Sequence, residues 1–263
     1  MAHVVGDPEL WTYGGERKLH RKLSHEEGSR KMEDDILKGR MGHELEKLPL
    51  FPLDTVLFPQ ASLRLHVFED RYRELVRVCL DEERPFGVVL IRAGEEVGGF
   101  ADPYMVGTLA RIKDVSRFDD GRMDIHIIGE RRFRIRRLDE DAAPFLVGHV
   151  EPVLEHPIED DDRAEVLVMQ ARENVELLVK RFFERQHFSV QVMFPTDAVD
   201  LSFSIANLLS MENLQKQRLL ETTDTLDRFE DLLPVLQDAL QESESPNYFR
   251  IASRDLAEWV NPN

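Results

Sequence analysis

The chain has 263 residues, enough for one large domain or two small ones, and its 42% hydrophobic share is that of an ordinary globular protein. The formal net charge of -17 argues against nucleic acid as the default partner, because a binder of phosphate backbones normally carries a basic excess. A single cysteine, Cys79, excludes an intramolecular disulfide, and the N-terminus "MAHVVGDPELWTYGGERK" has no apolar signal region, so the expectation is a cytoplasmic protein without a membrane segment.

Residues 1–46 mix both charge signs in "ERKLHRKLSHEEGSRKMEDDILKGRMGHELEK" and hold few core formers. Such a segment buries too little apolar surface to offset the entropy of ordering, so a disordered or non-native N-terminal extension is expected. Met32 and Met41 offer translation starts closer to the first strand. From Leu48 the pattern turns to β. "LPLFPLDTVLFP" is apolar but broken by Asp54 and its prolines, and it falls short of the ~18 residues that span a bilayer. Pro49 and Pro52 limit ladder pairing and suggest an edge or barrel-mouth strand, with a turn at Asp54-Thr55 and "VLFP" returning as a strand.

"SLRLHVF" alternates, with Leu63, Leu65 and Val67 on one face and Ser62, Arg64 and His66 on the other. "EDRYRELVRVCLDEE" then switches to helical spacing, with Tyr72, Leu75, Val76, Cys79 and Leu80 as one stripe. "PFGVVLIR" reads as a buried strand. "MVGTLARIKDVSRF" and "RMDIHIIGERRFRIRRL" read as a strand pair around a tight turn at Asp119-Asp120-Gly121, and "FLVGHVEPVL" closes the β region. Several short strands with one helix predict a small, partly closed barrel.

Past Pro157 the pattern is helical. A helix opens at Asp160, Asp161 and Asp162 and carries the stripe Val168, Ala171, Val175, Leu178 and Phe182. "VDLSFSIANLLSM" and "ENLQKQRLLETTD" predict two shorter helices. "TLDRFEDLLPVLQDAL" predicts another, kinked or broken at Pro234. The tail is expected to hold a short helix through Trp259. The expected division is an extension over 1–46, a β module over 47–156 and a helical subdomain over 157–263.

In order along the chain, "LPLFPLDTVLFP", "LRLHVFEDRYRELV", "VGTLARIKDV", the Asp-Gly turn, "IIGERRFRI" and "SIANLLSMENLQKQRLLETTDTLDRFEDLL" resemble the N-terminal, substrate-recognition domain of Lon proteases. The resemblance covers roughly residues 47 to 240 and is nearest to bacterial forms that consist of that domain. It implies an α+β fold, a PUA-like β pseudobarrel followed by a C-terminal α-helical bundle. The chain has no G-x-x-x-x-G-K-[ST] for a nucleotide, the nearest text being "GEEVGGF", and leaves no region for a Ser-Lys protease module. A proteolytic activity is therefore not expected, and neither is a cofactor.

No G-x-S-x-G elbow is present, and Cys79 on an apolar stripe reads as a core residue. The nine histidines are scattered without metal-ligand spacing, and the acids of "HPIEDDDR" fit a first helical turn. The one concentrated basic run, "GERRFRIRRL", puts Arg132, Arg134 and Arg136 on one strand face. Without interleaved aromatics to stack on bases, a solvated face is favoured over an RNA contact. The loop "AGEEVGGFADPYMVG" carries Phe100, Tyr104 and Met105 with no periodic home. They serve either as an exposed peptide contact or as a lid folded back on the barrel. The expected function is a non-catalytic binding module for unfolded or exposed apolar polypeptide, or for a protein partner. Phe51, Phe58, Phe100, Tyr104 and Met105 are its candidate contacts, with affinity from apolar burial and edge-strand pairing. The alternative is an RNA-binding module that uses the arginine strand.

Overall fold

The computed structural model describes residues 45–94, 101–185, 187, 190–242 and 260–262. The expected extension, apart from its last two residues, and the expected helix through Trp259 lie outside them. Seven strands come first: β1 (Glu46–Leu53), β2 (Ser62–Val67), β3 (Phe86–Gly94), β4 (Ala101–Pro103), β5 (Val106–Arg117), β6 (Met123–Asp139) and β7 (Val147–Pro152). Helix α1 (Asp70–Asp81) lies between β2 and β3. The strands run β1-β7-β6-β5-β3, and β3 pairs back onto β1, so the sheet closes into a barrel. β4 extends β3, and β2 pairs with β6.

The prolines of β1 do not place it at an edge, because this strand closes the barrel. Its first half, Glu46 to Pro49, runs antiparallel to β7, and its second half, Leu50 to Leu53, runs parallel to β3. Each half is laddered on one side, which accommodates residues without an N–H. "VLFP" is not the returning strand that its apolar pattern suggests. Val56, Leu57 and Phe58 are buried without regular structure. They are held by a hydrogen bond from Thr108 Oγ1 to the Leu57 carbonyl, 2.6 Å. Next to them the Gln60 N–H donates to the Gly129 carbonyl, and the Gly129 N–H donates to the Ala61 carbonyl, both at 2.9 Å. Two residues thus oppose one, a β-bulge with Gln60 at φ 65°.

Helix α1 buries Tyr72, Leu75, Val76 and Cys79 on the predicted stripe, while Leu80 is only partly covered. Burial pushes the Cys79 thiol up to about 11. β5 and β6 are joined at the predicted turn, where Gly121 takes φ 83° and the Phe118 N–H donates to the Arg122 carbonyl at 2.9 Å.

The helices are α2 (Asp161–Arg185), α3 (Ala198–Leu208), α4 (Asn213–Glu221) and α5 (Thr225–Glu242). Two short strands, β8 (Val190–Val192) and β9 (Val260–Pro262), pair antiparallel. The Asp197 side chain accepts the Asp200 N–H at the start of α3, 3.0 Å. α5 runs unbroken through Pro234, which is exposed, as is Glu230 one turn earlier. The carbonyl left without a donor there faces water, which removes most of the penalty expected for a mid-helix proline. One apolar core runs through both parts: Phe51, Phe58, Leu65 and Ile127 from the barrel join Phe203, Phe229 and Leu236 from the helices. A smaller cluster of Leu48, Leu50, Val89, Phe133 and Ile135 fills a separate part of the barrel.

The barrel and the helices are also tied by charge. Arg132 of β6 is 3% exposed and Arg228 of α5 is fully buried. Arg132 Nη1 donates to the Leu220 and Thr222 carbonyls, each 2.7 Å, at the C-terminal end of α4. Arg228 Nη1 donates to the Thr222 carbonyl at 2.6 Å and its Nε to Ser202 Oγ at 2.8 Å. Glu155 bridges the pair, with one oxygen on Arg132 and the other 3.0 Å from Arg228. The Phe203 ring lies 4.0 Å from the Arg228 guanidinium and 5.2 Å from that of Arg132. The terminal carbonyls of α4 carry the negative end of the helix dipole, so both cations cap it. Burial lowers Arg132 to about 10, so it stays protonated at neutral pH.

Three outcomes follow from this packing. A Cβ at Gly129 would stand 2.3 Å from the Phe58 carbonyl oxygen, a backbone atom that cannot give. Gly129→Ala is expected to lower stability by about 1–3 kcal/mol in urea unfolding. Glu155→Ala strands two buried guanidiniums and is expected to cost about 3–5 kcal/mol by the same measurement, whereas Arg136→Ala on the exposed surface leaves the midpoint in place. Cys79 in the folded protein is expected to resist an aromatic disulfide reagent at pH 8 and to react at once in denaturant.

Candidate functional site

A cleft of about 170 Å³ opens where four segments meet. Pro52 comes from β1, Arg71 and Tyr72 from the first turn of α1, Ala101 from the start of β4, and Glu140, Pro144, Phe145 and Leu146 from the connection between β6 and β7. Its walls mix apolar side chains with the polar groups of Arg71, Tyr72 and Glu140. The floor is built by stacking: the Tyr72 ring lies 4.1 Å from the Phe51 ring at 11°, which fixes the start of α1 on β1. The Arg71 guanidinium lies 4.5 Å from the Tyr72 ring centre, and its Nε donates to Glu69 at 3.1 Å. Glu140 is exposed on the rim. The cleft is smaller than the ~300–1,000 Å³ of small-molecule sites, and it suits an apolar side chain or two with polar groups at the edge.

The sequence candidates divide among several places. Phe51 is 1% exposed and Phe58 is 0% exposed, so neither is a groove contact. Phe51 backs Tyr72, and Phe58 packs on Phe203 with centroids 6.0 Å apart. An aromatic inside a closing barrel strand is held by the core, and apolar character alone does not distinguish it from a binding residue. Phe100 lies outside the described residues. Tyr104 is half-buried against the main core, and its N–H donates to the Leu90 carbonyl at 2.8 Å. Met105 is 40% exposed, while its carbonyl accepts the Ile135 N–H at 2.7 Å. A pinned backbone therefore presents a free apolar side chain.

Met105 stands next to the seam between barrel and helices. Gln217 of α4 donates through Nε2 to the carbonyl of Val106, the residue after Met105, at 3.0 Å. Leu214, one turn before Gln217 on α4, is also exposed. Both elements of the seam thus present apolar surface to solvent. Arg71, Phe145 and Leu214 did not stand out in the sequence. Tyr72 did so only as a core residue, because its second role depends on the β6–β7 connection coming to lie beside it.

The arginine strand is not the continuous solvated face that alternation predicts. Arg132 is buried in the charge cluster, and Arg136 pairs with Glu151 at 2.5 Å. A bulge between Ile135 and Arg137 breaks the alternation beyond Arg134, which is half-buried. Arg132 thus spends its charge inside the fold while Arg136 pairs at the surface, so Arg132, Arg134 and Arg136 do not form one free basic stripe of the kind an RNA contact uses. Among the described residues no group of three or more His, Cys, Asp or Glu side chains could hold a metal ion. No described helix is long and apolar enough to cross a membrane.

Comparison with known proteins bears on the same region. The family described as "ATP-dependent protease La (LON) substrate-binding domain" matches residues 47–238. The Lon protease of Anaeromyxobacter dehalogenans is 30% identical over 195 residues, and that of Escherichia coli K12 is 25% identical over 197. These matches take in 72% and 73% of this chain but 23% and 24% of the relatives, so the chain spans about a quarter of their length. The crystal structure of a Lon N-terminal domain protein from Xanthomonas campestris is 32% identical, with a TM-score of 0.51, and covers 72% of this chain and 98% of that one. The N-terminal domain of a Mycobacterium avium complex Lon protease has the same fold, at a TM-score of 0.55 and 20% identity over 73% of this chain and 99% of that one. The α+β architecture of a strand barrel followed by packed helices, read first from the motifs, is the architecture of these domains. The chain belongs to the Lon substrate-binding domain family.

Proposed function

We propose that the chain is a non-catalytic recognition module that holds exposed apolar segments of unfolded polypeptides. The observation that carries this is the exposure of apolar side chains, Met105 and Leu214, on both elements of the barrel–helix seam, together with a small cleft of mixed lining at Arg71 and Tyr72. Membership of a substrate-binding family supports the same reading. Tyr104, partly buried against the core beside Met105 in the chain, is a further candidate, as is Phe100 from the sequence.

Burial of one client Leu or Phe contributes about 1.5–3 kcal/mol, most of which is offset by the cost of ordering a flexible chain. A single cleft therefore binds weakly, and useful affinity requires several contacts along one client. Such weak, distributed contacts suit capture and release of many sequences. A permanently unfolded, reduced and carboxymethylated polypeptide carrying a fluorophore is the direct probe. Wild-type chain is expected to raise its anisotropy. Met105→Ser and Leu214→Ser are each expected to weaken binding about fivefold, the equivalent of ~1 kcal/mol of lost apolar burial. Absence of binding by wild type would remove the reading, and equal binding by both variants would move the site away from the seam.

A further inference from the structure

We infer that the outer edge of β2 is a docking edge for one extended client segment, which adds to the sheet as a further strand. This rests on the polypeptide-recognition reading and supplies it with a binding mode. β2 pairs with β6 over six residues without a register shift, and with no other strand among the described residues. The bond from the Gly129 N–H to the Ala61 carbonyl sets the phase of that ladder. Antiparallel pairs alternate, so Leu63, Leu65 and Val67 exchange hydrogen bonds with β6. The N–H and C=O groups of Ser62, Arg64 and His66 then point away from β6, to the open side. Among the described residues none supplies a backbone partner to these three.

The open positions of β5 and β4 are guarded. Residues 111–117 of β5 pair only with β6, but a bulge lies between Ile112 and Asp114, and Lys113, Asp114 and Arg117 are exposed there. β4 has three residues, one of them Pro103, and pairs with β3 in a shifted register. These are the devices by which sheets block unwanted pairing. β2 has no proline, no lysine and no bulge within its six residues. Of the three, it is the regular edge.

The side chains indicate what fits. Leu65 and Val67 are buried, whereas Leu63 is only partly covered, so the core is left open beside the edge. Beyond the end of the strand, Phe68 and Phe118 lie 6.2 Å and 5.9 Å from the His66 ring, and Phe118 is exposed. On the solvent face Arg64 is exposed, while the nearby Asp124 carboxylate is held by His66 Nδ1 at 2.6 Å. The occupant is therefore an extended segment with apolar residues at alternate positions toward Leu63 and an acidic residue opposite Arg64. Main-chain pairing reads no particular sequence, which suits a module that meets many unfolded chains.

The test uses the full chain and a fluorescein-labelled peptide of alternating Val and Thr with one central Glu. Its counterpart has the same side chains but N-methylated amides through the central residues, so it cannot pair. The unmethylated peptide is expected to bind at least about tenfold more tightly than the methylated one to wild type, in a measurement that needs no variant. Arg64→Pro removes one outward N–H and no ladder bond, and it is expected to bind the unmethylated peptide at least about tenfold more weakly than Arg64→Ala, which controls for the lost charge. Equal binding of the two peptides, or equal binding by the two variants, overturns the edge. If wild type ignores the unmethylated peptide, the edge is overturned as well. Binding of the carboxymethylated polypeptide in that case leaves the recognition reading standing, and its failure removes both.

Discussion

Two guanidinium groups cannot be removed from water without a counter-charge, and the whole arrangement of barrel and helices follows from how this is met. Arg132 on β6 and Arg228 on α5 share Glu155, which lies in the connection between the last barrel strand and the first long helix. The remaining donors go to carbonyls at the end of α4 and to Ser202 of α3. Strand, connection and three helices are thereby held in one geometry. Shifting any of these elements would leave a buried guanidinium without its partner, at a cost of about 3–5 kcal/mol.

That fixed geometry places the surfaces available for recognition. The seam where Met105 and Leu214 stand exposed is set by α4, whose Gln217 reaches the start of β5 and whose last carbonyls are capped by Arg132. The cleft beside Tyr72 is set by the barrel, because its floor is the Phe51–Tyr72 stack on the strand that closes the ring. Both rest on a rigid scaffold, so neither must be ordered when a client arrives, and that reduces the entropy cost of weak binding. The open edge of β2 fits the same scheme. It is braced by β6, the strand that carries Arg132, so the anchor of the barrel–helix contact and the proposed docking edge share one element.

Local pattern was sufficient for most elements. Period-two alternation marks β2 and β6, a period near 3.6 marks α1, α2 and α5, and Asp-Gly marks the β5–β6 turn. These properties depend on neighbours in sequence, and the order of the motifs carried the family. Partnership across long separations was not legible. No local feature distinguishes Arg132 from Arg136, yet one is buried beneath α4 and the other pairs with Glu151 at the surface. Phe51 and Phe58 looked like possible contacts because an apolar side chain has the same character in a core and in a groove. Tyr72 and Arg71 became a cleft only when the β6–β7 connection folded beside α1. Pro49 and Pro52 suggested an edge because proline lacks a donor, but whether a strand end has a neighbour depends on barrel closure. Residue chemistry and spacing therefore settled the elements and the family, while burial, pairing and exposure were settled by contacts between residues far apart in the chain, since burial is a property of the packed neighbours and not of the side chain itself.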